Sequence, residues 1–238
     1  MTHLRENETE NKETVENRSC IVLRAGMVDL PLVDEEMRRL QELRYAGAIP
    51  DTLILVEHPE IVTIGRRSNR DGVAAPFGFR THVVDRGGGI TWHGPGQLTV
   101  YPIFHWTLPG ERSISAVIDR MEEWSIQSLA EFGVTGSRDA RMHGAWVDGK
   151  KIASIGLSFS HWITRHGFTV NLDTPAGRVE AVSGCGLPAD TTTCISRVAG
   201  RRIDRIQFET ILLEKMPFVI RRSVQQLVEV AENPPWRV

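Results

Sequence analysis

Hydrophobic and polar positions along the chain fall into short segments with two different periods. Residues 20–28 (CIVLRAGMV) are apolar almost throughout and have strand composition. The next stretch, PLVDEEMRRLQELRYAGAIP, has a helical pattern opened by Pro31 and closed near Gly47 and Pro50. DTLILVEHP and IVTIGRR read as two short strands around a turn at Pro59. HVVDR, ITWH and QLTVYPIF read as three more, separated by Gly87-Gly88-Gly89 and Gly94-Pro95-Gly96 as two tight hairpin turns.

The clearest helical period covers 113–132. Ile114, Val117, Ile118, Met121, Trp124, Leu129 and Phe132 mostly follow the 3.6-residue repeat, and Gly133 stands where a C-terminal cap belongs. AWVDGKKIASIGLSFS predicts a hairpin turning at Asp148-Gly149 through a type I′ turn. ITRHGFTVNLD predicts another strand, and SGCGLPADTTTCIS has loop composition. From about Gln207 to Val230 the pattern turns helical, with Pro217 kinking or splitting it, and PPWRV has no regular pattern. Strands mixed with a few helices, without strict βαβ alternation, predict an α+β fold with a mixed or antiparallel sheet and flanking helices. No repeat or linker divides the chain. The reading is a disordered tail over 1–18, too polar to offset the cost of ordering, and a single catalytic domain over 19–238.

Composition narrows the function classes. The formal net charge is −2 and 41% of residues are hydrophobic, so no global charge draws the chain to nucleic acid or to an anionic membrane. Arg201, Arg202, Arg221 and Arg222 offer a basic patch for an acidic partner, or, taken singly, ordinary solvated charge. No apolar run is long enough to span a bilayer, and MTHLRENETENKETVENRS contains no apolar core for a leader. Three cysteines, an odd and sparse count, suggest free thiols in a reducing cytoplasm. The eight histidines form no cluster with zinc spacing, so no metal and no cofactor are assigned.

Three segments carry candidate chemistry. Arg86 to Gln97 holds five glycines, which weaken a strand but let backbone N–H groups approach a ligand. The spacing matches neither a P-loop nor a dinucleotide fingerprint. Lys150 and Lys151 follow the Asp-Gly turn on opposite faces of a strand, so only one of them can reach a site on a given face. Beyond them Ala153, Ser154 and Gly156 leave room for a ligand. Cys185 is flanked by Gly184 and Gly186, which favours an exposed thiol over core packing. With an ordinary pKa of about 8.5, such a thiol needs a neighbouring cation or N–H groups to become a thiolate nucleophile. Cys20 lies in a strand and reads as structural, while Cys194 reads either way.

Taken together and in order, these segments resemble the octanoyltransferase family of lipoate biosynthesis. Residues 86–97 match the family's Arg-Gly-Gly-x-x-Thr-x-His-Gly-Pro-Gly-Gln segment, and 151–156 its Lys-Ile-Ala-x-x-Gly strand. His166-Gly167-Phe168-Thr169-Val170-Asn171 matches a His-Gly-Phe-Ala-x-Asn pattern, and Gly184-Cys185-Gly186 the nucleophile loop. Glu57-His58-Pro59 and Ile64-Gly65-Arg66-Arg67 also resemble it. Thr169 stands where the family has a small apolar residue beside the acyl pocket, and Gly184 where it has proline.

The resemblance implies a fold like that of lipoate–protein ligase and biotin ligase catalytic domains. It implies Cys185 as the nucleophile that takes the acyl group from octanoyl-acyl carrier protein. It implies Lys151, not Lys150, as the residue that lowers the thiol pKa and relays protons. Substrate contacts are then expected at Arg86, Gly87, Gly88, Gly89, Ile90, Thr91, Trp92 and His93, at Ser154, Ile155 and Gly156, and at Gly167, Phe168 and Thr169. Backbone N–H groups near Gly88, Gly156 or Gly167 are the expected oxyanion donors. The expected acceptors are apo lipoyl domains of 2-oxoacid dehydrogenase complexes and the glycine cleavage H protein. An ATP-dependent lipoate–protein ligase and a non-catalytic lipoyl-domain binder are the two alternatives. The Gly-Pro-Gly after His93 and the Cys-Gly loop favour the transferase.

Overall fold

The computed structural model describes residues 17–71, 74–182, 190–231 and 233–238. Among them are ten strands and five helices. The elements are β1 (Arg18–Met27), α1 (Leu30–Tyr45), β2 (Asp51–Glu57), β3 (Ile61–Ile64), α2 (Arg66–Asp71), β4 (Thr81–Val83), β5 (Ile90–His93) and β6 (Gln97–Ile103). They continue with α3 (Ile114–Ala130), β7 (Gly144–Val147), β8 (Lys150–Ser160), β9 (Ile163–Asn171), α4 (Ile195–Ala199), α5 (Arg205–Val219) and β10 (Arg222–Glu229).

Strands β10-β1-β2-β6-β9-β8-β7 form one mixed sheet, and β4-β3-β5 form a small second sheet. β10, β1 and β2 run parallel to their neighbours in that group, while β2-β6, β6-β9, β9-β8 and β8-β7 are antiparallel. The central strands read as unbroken apolar runs because both their faces are covered. Cys20 and Val22 of β1, with Leu53 and Leu55 of β2, enter a core shared with Val117, Met121 and Trp124 of α3 and Phe208 and Leu212 of α5. The alternate residues Ile21, Leu23, Ile54 and Val56 pack with Val33, Met37 and Leu40 of α1. Ser113 caps α3 by accepting from the Ala116 N–H, and the Trp124 indole donates to the Leu212 carbonyl (2.7 Å), joining α3 to α5. Gly133, at φ +75°, lets the chain turn after α3.

The structure corrects the pattern reading in four places. The helical reading of 207–230 holds only to Val219; residues 222–229 are a strand. Their register is set by β1, which pairs with β10 and supplies the edge that local periodicity does not reveal. Pro217 sits in the last turn of α5, with the helix ending two residues later. Neither glycine segment is a hairpin turn: β4 and β5 flank β3 rather than each other, and β5 and β6 belong to different sheets. The Gly94-Pro95-Gly96 turn, closed by Gln97 N–H donating to Gly94 O (3.1 Å), hands the chain from one sheet to the other. Arg222 is no surface charge. It is fully buried on β10 between Asp51 and Glu111, with the faces of Phe104 and Trp106 beside it. The expected tail lies outside the described residues up to position 16, and Arg18 already belongs to β1. Cys20 and Cys194 are both buried free thiols.

Candidate active site

The β7-β8 register decides where the lysine pair points. Ala145 pairs with Ala153 but Trp146 pairs with Lys151, so Ile152 is an extra residue in β8. Such a bulge re-aims the side chains on one side of it relative to those on the other. Ile152 and Ala153 both enter the core under α3 and α5. Lys151 thereby comes onto the opposite face, shared with Ser154 and Gly156. It is 6% exposed and lines a cavity of about 800 Å³, whereas Lys150 is exposed. The Lys151 backbone donates to Thr191 O (2.7 Å) and accepts from Thr193 N–H (2.9 Å), which ties β8 to the chain after residue 190.

The cavity wall opposite Lys151 is the glycine segment. Arg86 is buried, and its guanidinium donates to the hydroxyls of Thr63 and Thr91 (both 2.8 Å) and to Gly87 O (3.0 Å). Backbone bonds stitch the segment on both sides: Gly87 N–H donates to Leu157 O (2.8 Å), Arg67 N–H to Gly88 O (3.0 Å) and Gly65 N–H to Gly89 O (3.1 Å). The Gly87 N–H is therefore committed within the fold. Gly156 is required by this approach, because a Cβ there would lie 2.9 Å from Arg86 Cδ and 3.1 Å from Gly87 O.

The expected site residues divide between two adjoining spaces. Arg86 to Trp92, Lys151 and Ser154 to Gly156 line the large cavity. His93, Gly167, Phe168 and Thr169 line a smaller space of about 30 Å³, which shares Arg86, Thr91 and Ser154 to Gly156 with the first. The strands explain the juxtaposition, since Ser154, Ile155 and Gly156 of β8 stand directly opposite Thr169, Phe168 and Gly167 of β9. Cys185 and Gly184 lie outside the described residues. Of the described residues around that segment, Val182 and Thr191 line the large cavity, while Asp190 lines a separate groove with Lys150 and Glu180.

Pattern reading missed other wall residues. Ile114 and Ile118 belong to the apolar stripe of α3 yet face the cavity, and Ile114 is 54% exposed. Arg66, Arg67 and Asp85 line its far end. Gln97 and Asn171 were visible as fixed motif positions without a role. Gln97 donates to Asn171 Oδ1 (2.9 Å) and Trp92 O (3.1 Å), and Asn171 donates to Thr193 O (2.9 Å). Together they fix the ends of β5, β6 and β9 to the segment that follows residue 190.

A buried polar cluster backs the smaller space. His58 donates from Nδ1 to Val28 O (2.7 Å), so its Nε2 accepts from the Tyr101 hydroxyl (3.0 Å). Burial pulls the His58 pKa down to about 4 and pushes the Tyr101 hydroxyl above its usual range. Burial also holds His93 well below the ordinary value, helped by repulsion from His58 and Arg86. His166 is lowered by burial against the opposing pull of Asp85, 3.0 Å from its Nε2. The His166 hydrogen bond and Arg165 hold the Asp85 carboxyl well below the usual range. These imidazoles are neutral at physiological pH, so they serve as hydrogen-bonding walls.

The mixed sheet with a buried lysine facing a glycine-walled cavity defines a class. A bi-partite lipoate protein ligase from Thermoplasma acidophilum superposes with a TM-score of 0.61 at 14% identity, over 89% of this chain and 88% of that one. A biotin protein ligase from Aquifex aeolicus superposes with a TM-score of 0.51 at 12% identity, over 85% and 69%. Both establish the fold alone. The profile of the lipoyl protein ligase A/B catalytic domain matches residues 35–217. The octanoyltransferase of Syntrophobacter fumaroxidans is 37% identical over 192 residues, 78% of this chain and 84% of that protein. The chain therefore belongs to the octanoyltransferase family within the lipoyl protein ligase A/B catalytic domain, a family of acyltransferases.

Proposed function

We propose that this chain transfers an octanoyl group from acyl carrier protein to a lysine of lipoyl-domain proteins through a thioester on Cys185. The observation that carries the reading is the bulge in β8, which turns Lys151 into the same cavity as Arg86 to Trp92 and Ser154 to Gly156. Supporting it, Val182 and Thr191, on either side of the Cys185 segment in the sequence, line that cavity. Ile90, Trp92, Ile114, Ile118 and Leu157 give its walls the apolar area a medium acyl chain needs.

In the first half-reaction the Cys185 thiolate adds to the donor's thioester carbonyl. The tetrahedral oxyanion collapses and expels the carrier's thiolate, which is then protonated. The Lys151 ammonium stabilises the attacking thiolate and gives the leaving sulfur its proton. In the second half-reaction the acceptor lysine arrives as the neutral amine, its ammonium proton released to water, and as it attacks Lys151, now neutral, takes the proton that the nitrogen loses on becoming an amide. The amide forms as the Cys185 thiolate leaves. Acceptors on this reading are apo lipoyl domains of 2-oxoacid dehydrogenase complexes and the glycine cleavage H protein, met in the cytoplasm. Among the described residues no helix is long and apolar enough to cross a membrane.

The test is intact-protein mass spectrometry with octanoyl-acyl carrier protein and no ATP. A hydroxylamine-labile octanoyl adduct is expected on the wild type and not on Cys185→Ala. Lys151→Ala is expected to slow transfer by about 10²-fold or more, the scale of a lost proton-transfer group. Lys150→Ala should change it by less than about two-fold, as expected for a solvated lysine on the other face. Absence of an adduct, with transfer only when ATP and free octanoate are supplied, would replace this reading with the ligase. Binding of lipoyl domains without turnover under either condition would replace it with the binding module.

A further inference from the structure

The smaller space between the two sheets has a chemical asymmetry that the acyl-transfer reading does not use. Thr99, Thr169 and Ser154 are direct partners across β6, β9 and β8. Cross-strand partners point their side chains to the same face, so three hydroxyl-bearing residues stand in one row. All three line the space, together with His93, Tyr101 and His166. Thr99 is 1% exposed, and its Oγ1 has no hydrogen-bond partner among the described residues. The large cavity adds the apolar side chains of Ile90, Trp92 and Leu157 to the residues that the two spaces share. A chain passing from one space to the other leaves those apolar side chains, crosses beside Arg86, Thr91 and Ser154, and then meets Thr99 and Thr169.

We infer that this hydroxyl row is a chain-length stop that sets the longest acyl group the site accepts; the inference rests on the acyl-transfer reading above. A buried hydroxyl is costly when an aliphatic end is pressed against it without a partner. A methyl terminus that stops short of Thr99 and Thr169 leaves their hydroxyls undisturbed. Each further methylene forces hydrocarbon onto Thr99 and Thr169, and the space of about 30 Å³ has no room to take both the chain and a group that satisfies them. The stop works by polarity as well as by size. Replacing a threonine by the isosteric valine should therefore relax it without enlarging the site.

The test compares kcat/KM for hexanoyl, octanoyl, decanoyl and dodecanoyl thioesters of acyl carrier protein, with a lipoyl domain as acceptor. Thr99→Val and Thr169→Val are each expected to raise the decanoyl-to-octanoyl ratio by about ten-fold, the scale on which a pocket discriminates by one or two methylenes. Ser128→Ala removes a buried hydroxyl on α3 that is bonded to Trp124 O and lines neither space, and should leave the ratio unchanged. Folding of each variant is checked by thermal melting. If Thr99→Val does not fold, Thr169→Val carries the same comparison. A ratio unmoved in folded Thr99→Val and Thr169→Val, with the wild type active on octanoyl, overturns the stop and leaves the acyl-transfer reading standing. No turnover by the wild type with any of the four donors overturns both.

Discussion

Gly144 offers the sharpest check on how Lys151 is held. It opens β7 at φ +141°, where side chains are rarely tolerated, and lies opposite Ser154. A Cβ built there would sit 2.1 Å from Ala153 O and 2.8 Å from Lys151 Cε. A carbonyl in a ladder cannot retreat alone, so Gly144→Ala must push β7 away from β8 or drive the lysine stem aside. Backbone strain contributes about 1–3 kcal/mol and overpacking a similar amount, giving about 2–6 kcal/mol in all. That is a large share of a typical stability of about 5–15 kcal/mol. Gly149→Ala is the matched control, with φ +74° and nothing within 4 Å of its Cβ, so it carries strain alone, about 1–2 kcal/mol. The assay is urea unfolding of both variants alongside octanoyl transfer at a temperature where each is folded. Gly144→Ala should be the less stable by at least about 1 kcal/mol and, because its clash reaches Lys151, the slower by at least about ten-fold. Equal midpoints and equal turnover for the two variants would refute the claim that β7 packs against the lysine stem.

Two further outcomes follow from the buried polar groups. His58 titrates near 4 in the folded chain against about 6.5 when unfolded, so the unfolded state binds more protons between those values. Its contribution is fully present above pH 6.5 and is lost as the pH falls toward 4, amounting to about 3 kcal/mol across that window; His58→Gln should flatten the pH dependence of the urea midpoint there, and an unchanged slope would contradict the buried neutral assignment. Arg222→Leu should lower stability by about 3–5 kcal/mol at neutral pH, because it strands the buried carboxylates of Asp51 and Glu111. Asp51→Asn with Glu111→Gln in the same background should recover part of that loss in thermal melts, and failure to recover any would show that the ion cluster is not the cause.

The sequence showed elements whose signal is local and hid those set by distant partners. α3 was legible because its apolar repeat, Ser113 cap and Gly133 stop agree. The β7-β8 hairpin was legible because Asp148 and Gly149 both adopt positive φ, as a type I′ turn requires. β10 was not, because its pairing partner β1 lies some two hundred positions earlier and Leu227 and Val228 fit a helical stripe as well as a strand. The glycine segments looked like hairpin turns because glycine content marks a tight path without saying what lies on either side. Only the packing of Arg86 against Gly156 and of Gly65 against Gly89 gives each glycine its reason. Alternation separated Lys150 from Lys151, but which of them enters the cavity depends on the extra residue Ile152, and a bulge leaves no mark in the residue types. The family motifs identified candidate residues without the geometry that divides them between two spaces.

The backbone bonds from Lys151 to Thr191 and Thr193 have a consequence for how the protein tolerates change. They fasten the chain that follows residue 190 to the same strand residue that presents the lysine. The lysine's aim thus rests on Gly144, on the extra residue Ile152 and on the two threonines, and not on Lys151 alone. A descendant that keeps the lysine but loses any one of these contacts keeps the residue and not its direction.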